Sequence, residues 1–583
     1  MEHQPSKLAH ALATIDTHAL TRRTLLRSTM AAAGAAIAGS LLAACGGSSK
    51  TATTSSTSAA AAQTSTSITT NNSLGALGGV ATPTMAQAGT PGTSPSGSVA
   101  PTPGKRGGEL KAAMQVDATS LDPHLSSSYS STLVIEQVYS GLIQFDPNLN
   151  IIPDLADSWN ISTDGLTYDF TIRQGVKFQN GRVMTADDVV YSLNRVKDPK
   201  ASSSYLLDNV KSITATGPNA VRLTLSPAFA ALLSHLTTAM AIVPKEVVQQ
   251  NGDLSKVMVG TGPFKFVEFI PSTHAKLARY ENYYEQGVPY LDTLTWIPIP
   301  DDPTRTANIK TGNVDFADQV PQQDIDSLAK SSGVQLAHGP STLHDYLMLN
   351  CTRKPFTDVR VRQAISYAID RKVMTDTILF GHGTPIDGGP IPNWSWAYAD
   401  IHTYAQLNLA KAKQLMADAG YANGFPLTIG AGSSYAAQVQ EAQVLKDMLK
   451  QINIDVTPAP TEWGAYIDQV ITKKDFDAAV IGWIGAIDPD DWLYSRFHTD
   501  ASSNSVGYSN PDFDKLLDQG RQTNDEATRK PLYIQAQQIL VNDAPYAFFF
   551  LYDQYEALRD YVKGYQHMAN NSKATFKYVW LNK

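Results

Sequence analysis

The apolar residues of this chain change their period once, near Leu349, and that change limits the fold more than any other feature. Before it, the run from Leu166 to Arg173 (Leu-Thr-Tyr-Asp-Phe-Thr-Ile-Arg) alternates apolar and polar residues without an error, which predicts a strand with one buried face. Asp164-Gly165 predicts a hairpin turn joining it to a strand at Ser158–Ile161. Val221, Leu223 and Leu225 repeat the alternation after the turn residues Gly217-Pro218-Asn219. Thr185 is placed to cap a helix that begins at Asp187-Asp188-Val189. This part reads as an antiparallel meander with short helices.

Past about residue 356 the period is helical. Val361, Ala364, Ile365, Ala368 and Ile369 lie on one face of a helix opened by Thr357-Asp358. Asp370 restarts a second helix through Met374 and Ile378, ending at Gly381. A third runs from Asn408 to Ala419 with Leu409, Ala412, Leu415 and Met416 inward and Gly420 as its stop. Gln438–Leu449 reads as helix, Ile452–Val456 and Ala478–Trp483 as strands. Such alternation predicts an α/β lobe. The apolar run Ala544–Tyr552 is placed to lead the chain back to the first lobe.

Ahead of this region the composition is different. Thr21-Arg22-Arg23-Thr24-Leu25-Leu26-Arg27 precedes the apolar segment Ala31–Ala44, which ends in Leu41-Leu42-Ala43-Ala44-Cys45. Basic, apolar and small residues in that order predict an export signal over 1–44. The cysteine after Leu-Ala-Ala resembles a bacterial lipoprotein precursor, which implies cleavage before Cys45 and its lipidation. The twin arginines resemble a Tat signal, with Sec export as the alternative. The apolar stretch is shorter than the roughly 18–20 residues that span a bilayer. Gly46 to Gly104 is almost wholly Ser, Thr, Ala, Gly and Pro, with Lys50 its one charge, and cannot bury enough apolar surface to offset ordering. It is expected to be a disordered tether, over 45–106, with a span of roughly 40–45 Å. A mucin-like glycosylated stalk has the same composition.

The remainder, to Lys583, is too long for one compact core. Without the signal the formal charge is about −10, so the basic footprint of a nucleic-acid binder is absent. Of the two cysteines, Cys45 is taken by the lipid and Cys351 lies in the apolar run Tyr346–Cys351, where a buried inert thiol is expected. No Gly-x-Ser-x-Gly, His-Glu-x-x-His or phosphate-loop pattern occurs, and the twelve histidines lack metal-ligand spacing. Gly260-Thr261-Gly262 opens like a dinucleotide fingerprint, but Lys265 stands where its third glycine belongs. Asp187-Asp188 and Asp301-Asp302 read as caps or solvated loop residues. Neither a catalytic residue, a metal nor a cofactor is expected.

Several segments resemble one family. Gly260-Thr261-Gly262-Pro263-Phe264, Arg279-Tyr280-Glu281-Asn282-Tyr283-Tyr284 and Pro289-Tyr290-Leu291-Asp292 are similar to the extracellular solute-binding proteins of family 5, the peptide- and nickel-binding receptors of ABC importers. The segment from Asp358 to Arg371 (Asp-Val-Arg-Val-Arg-Gln-Ala-Ile-Ser-Tyr-Ala-Ile-Asp-Arg) resembles the family's most recognisable stretch. Ser120-Leu121-Asp122-Pro123, Phe178-Gln179-Asn180-Gly181 and Gly507-Tyr508-Ser509-Asn510-Pro511 match in order, so the resemblance covers nearly everything from about Gly107 onward.

The resemblance implies an α/β, two-lobed periplasmic-binding-protein-like fold of the class II type, with an extra antiparallel subdomain in the first lobe. Lobe I would be 107–348, its subdomain about 140–250, lobe II 349–552, and 553–583 a return to lobe I. Crossings between lobes are expected near Tyr346–Asn350 and Phe548–Tyr552. A solute would be held between the lobes and passed to permease and ATPase subunits, with the monomer anchored by lipid on the extracytoplasmic face of the membrane. Expected solute contacts are Asp122, His124 and Tyr129 from the first lobe, and Trp394, Trp396, Trp483 and Asp488 from the second. The implied solute is a peptide or peptide-like molecule; oligosaccharides, opine-like compounds and metal chelates are the alternatives. An exported hydrolase or a peptide-sensing lipoprotein would be rivals of another class. Peptide-binding relatives place an acid shortly after a lobe II tryptophan, where it pairs with the ligand's α-ammonium. In the matching stretch, Gly482 to Asp490, Ala486 falls about where that acid belongs. Either Asp488 takes its place or the solute lacks a free amine.

Overall fold

The structure, a computed structural model, describes residues 104–237, 240–484 and 487–583. The expected signal, the expected lipidation site Cys45, the part of the expected tether up to residue 103, and Ala486 lie outside the described residues. Ten strands form one continuous mixed sheet, and Gly383–Pro385 pairs beside its path. The order is Asp455–Thr461, Pro426–Gly432, Ala478–Ile484, Val334–Leu349, Tyr546–Arg559, Phe316–Ala317, Glu109–Met114, Thr293–Pro298, His274–Arg279 and Phe264–Ile270. The middle two strands, 16 and 14 residues long, run antiparallel. Val334–Pro340 pairs with Asp553–Arg559, and His344–Met348 with Tyr546–Leu551. Between Pro340 and His344 the register breaks. An interrupted ladder at a proline leaves the paired strands free to bend there.

Each end of this long pair belongs to a different core. Toward one end, Leu110, Leu133, Val138, Leu294, Trp296 and Phe576 pack together with Leu558 of the second long strand. Toward the other, Leu347 and Phe549 pack with Val361, Ile365, Ala412, Leu427, Leu445 and Val480. The chain crosses between the two through these strands, and the break lies slightly before the first expected crossing.

The meander is a separate four-stranded antiparallel sheet, ordered Ala156–Ile161, Thr167–Ile172, Ala220–Leu225, Val210–Gly217. Tyr168, Phe170 and Ile172 point into its core with Val221, Leu223 and Leu225. Gly165 supplies the positive φ of +68° that the Asp164-Gly165 turn requires. Thr185 and Asp188 form a reciprocal capping box on the helix Ala186–Val196, whose Val189 and Leu193 cover the sheet. The three later helices are capped by Asp358, Asp370 and Asn408 through backbone N–H donors. Asp301 caps Asp302–Thr311 in the same way, accepting from Thr304 N at 2.9 Å. Both acidic pairs are therefore structural.

One strand expected from the sequence is corrected. The strand expected at Ile452–Val456 begins at Asp455 and runs to Thr461, because Asn453 is left-handed (φ +64°) and closes a turn first. Its Pro458 and Pro460 are tolerated because this is the outermost strand of the sheet. Cβ atoms at Gly260 and Gly262 would lie 2.1 Å and 2.6 Å from the Val138 carbonyl group, so these glycines let a helix end approach the backbone. Cys351 is half-buried, and burial pushes its thiol up to about 11, which leaves it protonated and unreactive.

Candidate functional site

The two halves meet beside the long strands. From the first half come Tyr205, on the turn Ser204–Leu207, and His235, on Leu232–Leu236. From the second comes the helix Pro489–Phe497, which follows directly on the strand Ala478–Ile484. Its start is written in Asp488-Pro489-Asp490-Asp491: Asp488 accepts from Asp490 N at 2.9 Å, proline fits the first turn, and the acids complement the helix dipole. His235 Nε2 reaches Asp491 at 3.1 Å across the seam. Ala230 N donates to Arg521 O, and the Tyr168 hydroxyl to Asn524. Phe145 and Leu149 share an apolar cluster with Ile487 and Trp394.

On one face of that helix, one turn apart, stand Trp492 and Arg496. Trp492 stacks on the His344 ring at 4.6 Å, and His344 pairs in register with Trp483. Arg496 lies under Trp483, its guanidinium carbon 3.3 Å from the ring centroid. It is 5% exposed, and its Nε and Nη2 are buried without a hydrogen-bond partner. Neighbouring carboxylates are spent elsewhere: Asp488 on Arg529, Asp490 on Arg521, Asp491 on His235. Burial and the Asp491 charge raise the Tyr205 phenol to about 12, with the Arg496 charge acting against them. Tyr205 nevertheless stays 39% exposed. Burial, opposed by the Thr342 carbonyl and reinforced by Arg496, takes His344 down to about 3 and keeps it neutral.

The residues expected from sequence are distributed unevenly. Asp122 is wholly buried and fully engaged: Arg195 donates to both its oxygens at 2.9 and 2.6 Å, and Leu254 N and His124 N add two more bonds. Burial would raise its carboxyl, but these donors hold it below the usual range. His124 bonds Ala241 O at 2.8 Å, and burial pulls it to about 4. Asp122 thus knits its loop to the helix Ala186–Val196, and His124 knits it to the backbone at Ala241. Tyr129 is half-buried; its hydroxyl donates to Asp318, beside the buried Lys573, which pairs with Asp318 and Glu556 at 3.1 Å each. Trp394 lies in the shared cluster at the seam, its Nε1 without a partner. Trp396 is a core residue against Tyr533. Trp483 is half-buried and carries the stacked arginine. Asp488 is 3% exposed, and both its oxygens are held by Arg529 at 2.9 and 2.7 Å. Sequence reasoning missed Arg496, His344 and Tyr205. The one signal for Arg496 is its i+4 spacing from Trp492 on an otherwise buried helix face.

A hollow of about 350 Å³ beside Lys177, Arg279 and Glu285 lies within the first half alone. Closure of two halves would not act on it. Among the described residues no group of three or more His, Cys, Asp or Glu could hold a metal ion, and no helix is long and apolar enough to cross a membrane.

Comparison with known proteins fits this geometry to a family. The family of bacterial extracellular solute-binding proteins, family 5 (middle region), matches residues 150–505. The chain belongs to that family. This solute-binding protein is 32% identical over 443 residues to the glutathione-binding protein GsiB of Pectobacterium atrosepticum, covering 74% of this chain and 86% of the relative. The binding protein AgaA from A. tumefaciens R10, solved with agropinic acid, shares 30% identity at a TM-score of 0.70, over 82% of this chain and 99% of that one. DppA of Helicobacter pylori, solved with the peptide STSA, shares 29% at a TM-score of 0.70 and the same coverage. The two cores joined by the long strands are thus the two lobes of a periplasmic-binding-protein fold, and relatives of this solute-binding protein are binding proteins, not enzymes.

Proposed function

We propose that this chain is the capture subunit of an ABC importer, exported, held at the extracytoplasmic membrane face by lipid on Cys45, and closing as a monomer on a peptide or peptide-like solute. We take lobe I as 107–348, lobe II as 349–552 and the return as 553–583. The observation that carries the reading is the long strand pair with its register break at Pro340–His344, flanked by aromatic and charged side chains drawn from both halves. A ligand touching both halves favours the closed arrangement by its differential affinity. Peptide-like chemistry is supported by relatives described as binding glutathione or a peptide.

A second reading, an opine-like solute without a free α-ammonium, is favoured by one observation: Asp488 is consumed by Arg529. Native mass spectrometry of the protein purified from its host is expected to find a co-purified amino-acid-derived solute. A co-purified sugar, or a chelate bound in place of peptides, would replace the assignment. Calorimetric titration with dipeptides and their N-acetyl forms separates the readings, because only the peptide reading requires a free amine.

A further inference from the structure

Among the described residues, the cations beside the lobe II helix Pro489–Phe497 each have an anion, except one. Arg529 holds Asp488, Arg521 holds Asp490, and His235 meets Asp491. Arg496 makes no ion pair and no hydrogen bond among the described residues, although it is 5% exposed with Nε and Nη2 wholly enclosed. A guanidinium is a planar fork of donors that stays charged in any protein. Taking it out of water without an anion is costly, and a stack on one indole face recovers only a part of that cost. Trp483 covers one face of the fork. Among the described residues the edge formed by Nη1 and Nη2 is left without a partner, and such an edge binds a carboxylate with two parallel bonds.

We propose that Arg496 receives a carboxylate of the solute, with Trp483 as the platform that fixes the guanidinium plane, so that this receptor selects anionic solutes. The assignment rests on the reading that solute lies between the lobes. It adds to that reading the charge class of the ligand and the residue that senses it. His344, kept neutral beside Arg496, adds no competing charge, and Tyr205 brings a hydroxyl from the opposite lobe.

The test uses the full folded protein and three probe sets: glutathione and tripeptides with free carboxylates, the same peptides as C-terminal amides, and acetate against chloride at equal ionic strength. The wild type should bind the acids about tenfold to a hundredfold tighter than the amides, and Arg496→Met should remove that difference. Acetate should raise the melting temperature of the wild type and not of the variant. Unliganded Arg496→Met should melt no lower than the wild type, since it removes an unpaired buried charge; Arg496→Lys, which keeps charge without the fork, should recover only part of the discrimination. Equal binding of acid and amide, discrimination retained in Arg496→Met, or a steep loss of its melting temperature would each overturn the assignment and leave the receptor reading standing. Absence of binding by every peptide, opine and sugar would instead count against the receptor reading, and acetate still reports on Arg496 by itself.

Discussion

Glu441→Gln is the substitution whose effect follows most directly from the geometry. Glu441 lies on the helix Ala436–Lys450, wholly buried, with no donor facing either carboxyl oxygen. Its neighbour is Asp345, on the first long strand, which is 3% exposed and accepts from the Tyr552 hydroxyl of the second at 2.9 Å. Gly482 stands opposite in register, and a Cβ there would lie 2.3 Å from Asp345 Oδ1, so only glycine leaves the Asp345 carboxyl its place. Burial, and then the Asp345 charge, hold the Glu441 carboxyl well above its ordinary value of 4.5. Two carboxyls in contact without a cation hold one proton between them. The folded chain therefore keeps a proton that the unfolded chain releases above about 4.5. Stability from this group is complete below that pH and is lost as pH rises toward the folded value. The loss is about 1.4 kcal/mol per pH unit for as long as the folded carboxyl keeps its proton. Glu441→Gln replaces the shared proton with an N–H donor and abolishes that slope. Urea unfolding of both proteins at pH 5.5, 6.5 and 7.5 measures the difference, because all other titrations cancel in it. The variant should gain on the wild type steadily as pH rises. A difference independent of pH would mean that Glu441 is ionised in the fold, and the argument would be wrong.

Two further outcomes follow from buried pairs. Asp122→Asn should lower the stability of the first half by about 3–5 kcal/mol, because Arg195 is left buried without its anion, while solute affinity stays within about twofold; calorimetry with titration would show the reverse if Asp122 contacted solute. At the seam, burial works against a charged His235, yet Asp491 outweighs it and holds the imidazole at about 9, so the contact is fully formed below pH 6.5 and fades as pH rises through 9. X-ray scattering should show the wild type expanding over that range and His235→Gln lacking the step; identical profiles would remove this contact from the control of closure.

Much of the fold was legible because local chemistry and burial agree. Tyr168, Phe170 and Ile172 alternate inward, and the caps at Thr185, Asp358, Asp370 and Asn408 sit where the periodic runs begin. The edge strand Asp455–Thr461 was misjudged because Pro458 and Pro460 argue against a strand everywhere except where the neighbour is missing. The long strand Val334–Leu349 showed only its buried second half. Its first half, through His338, Gly339 and Pro340, lacks alternation since it is only partly covered. Resemblance supplied the joining of the lobes, which no periodicity encodes.

The site itself was less legible, and the reason is electrostatic. Asp122, His124 and Asp488 looked like ligand contacts because polar residues in loops beside strands often are. What removes them is the partner each one meets across 41 to 117 positions of sequence: Asp122 with Arg195, His124 with Ala241, Asp488 with Arg529. Sequence shows which residues carry charge, and only the fold shows which charges are already answered. By that criterion the acids of Asp488-Pro489-Asp490-Asp491 are structural, however suggestive their spacing, and Arg496, on the same helix and unremarkable in sequence, is the one whose counter-charge is missing. A buried charge that the fold answers holds the protein together; a buried charge that it leaves unanswered destabilises the empty protein and favours the occupied one. The proposal for Arg496 therefore does not depend on naming the solute, only on the solute bringing the anion.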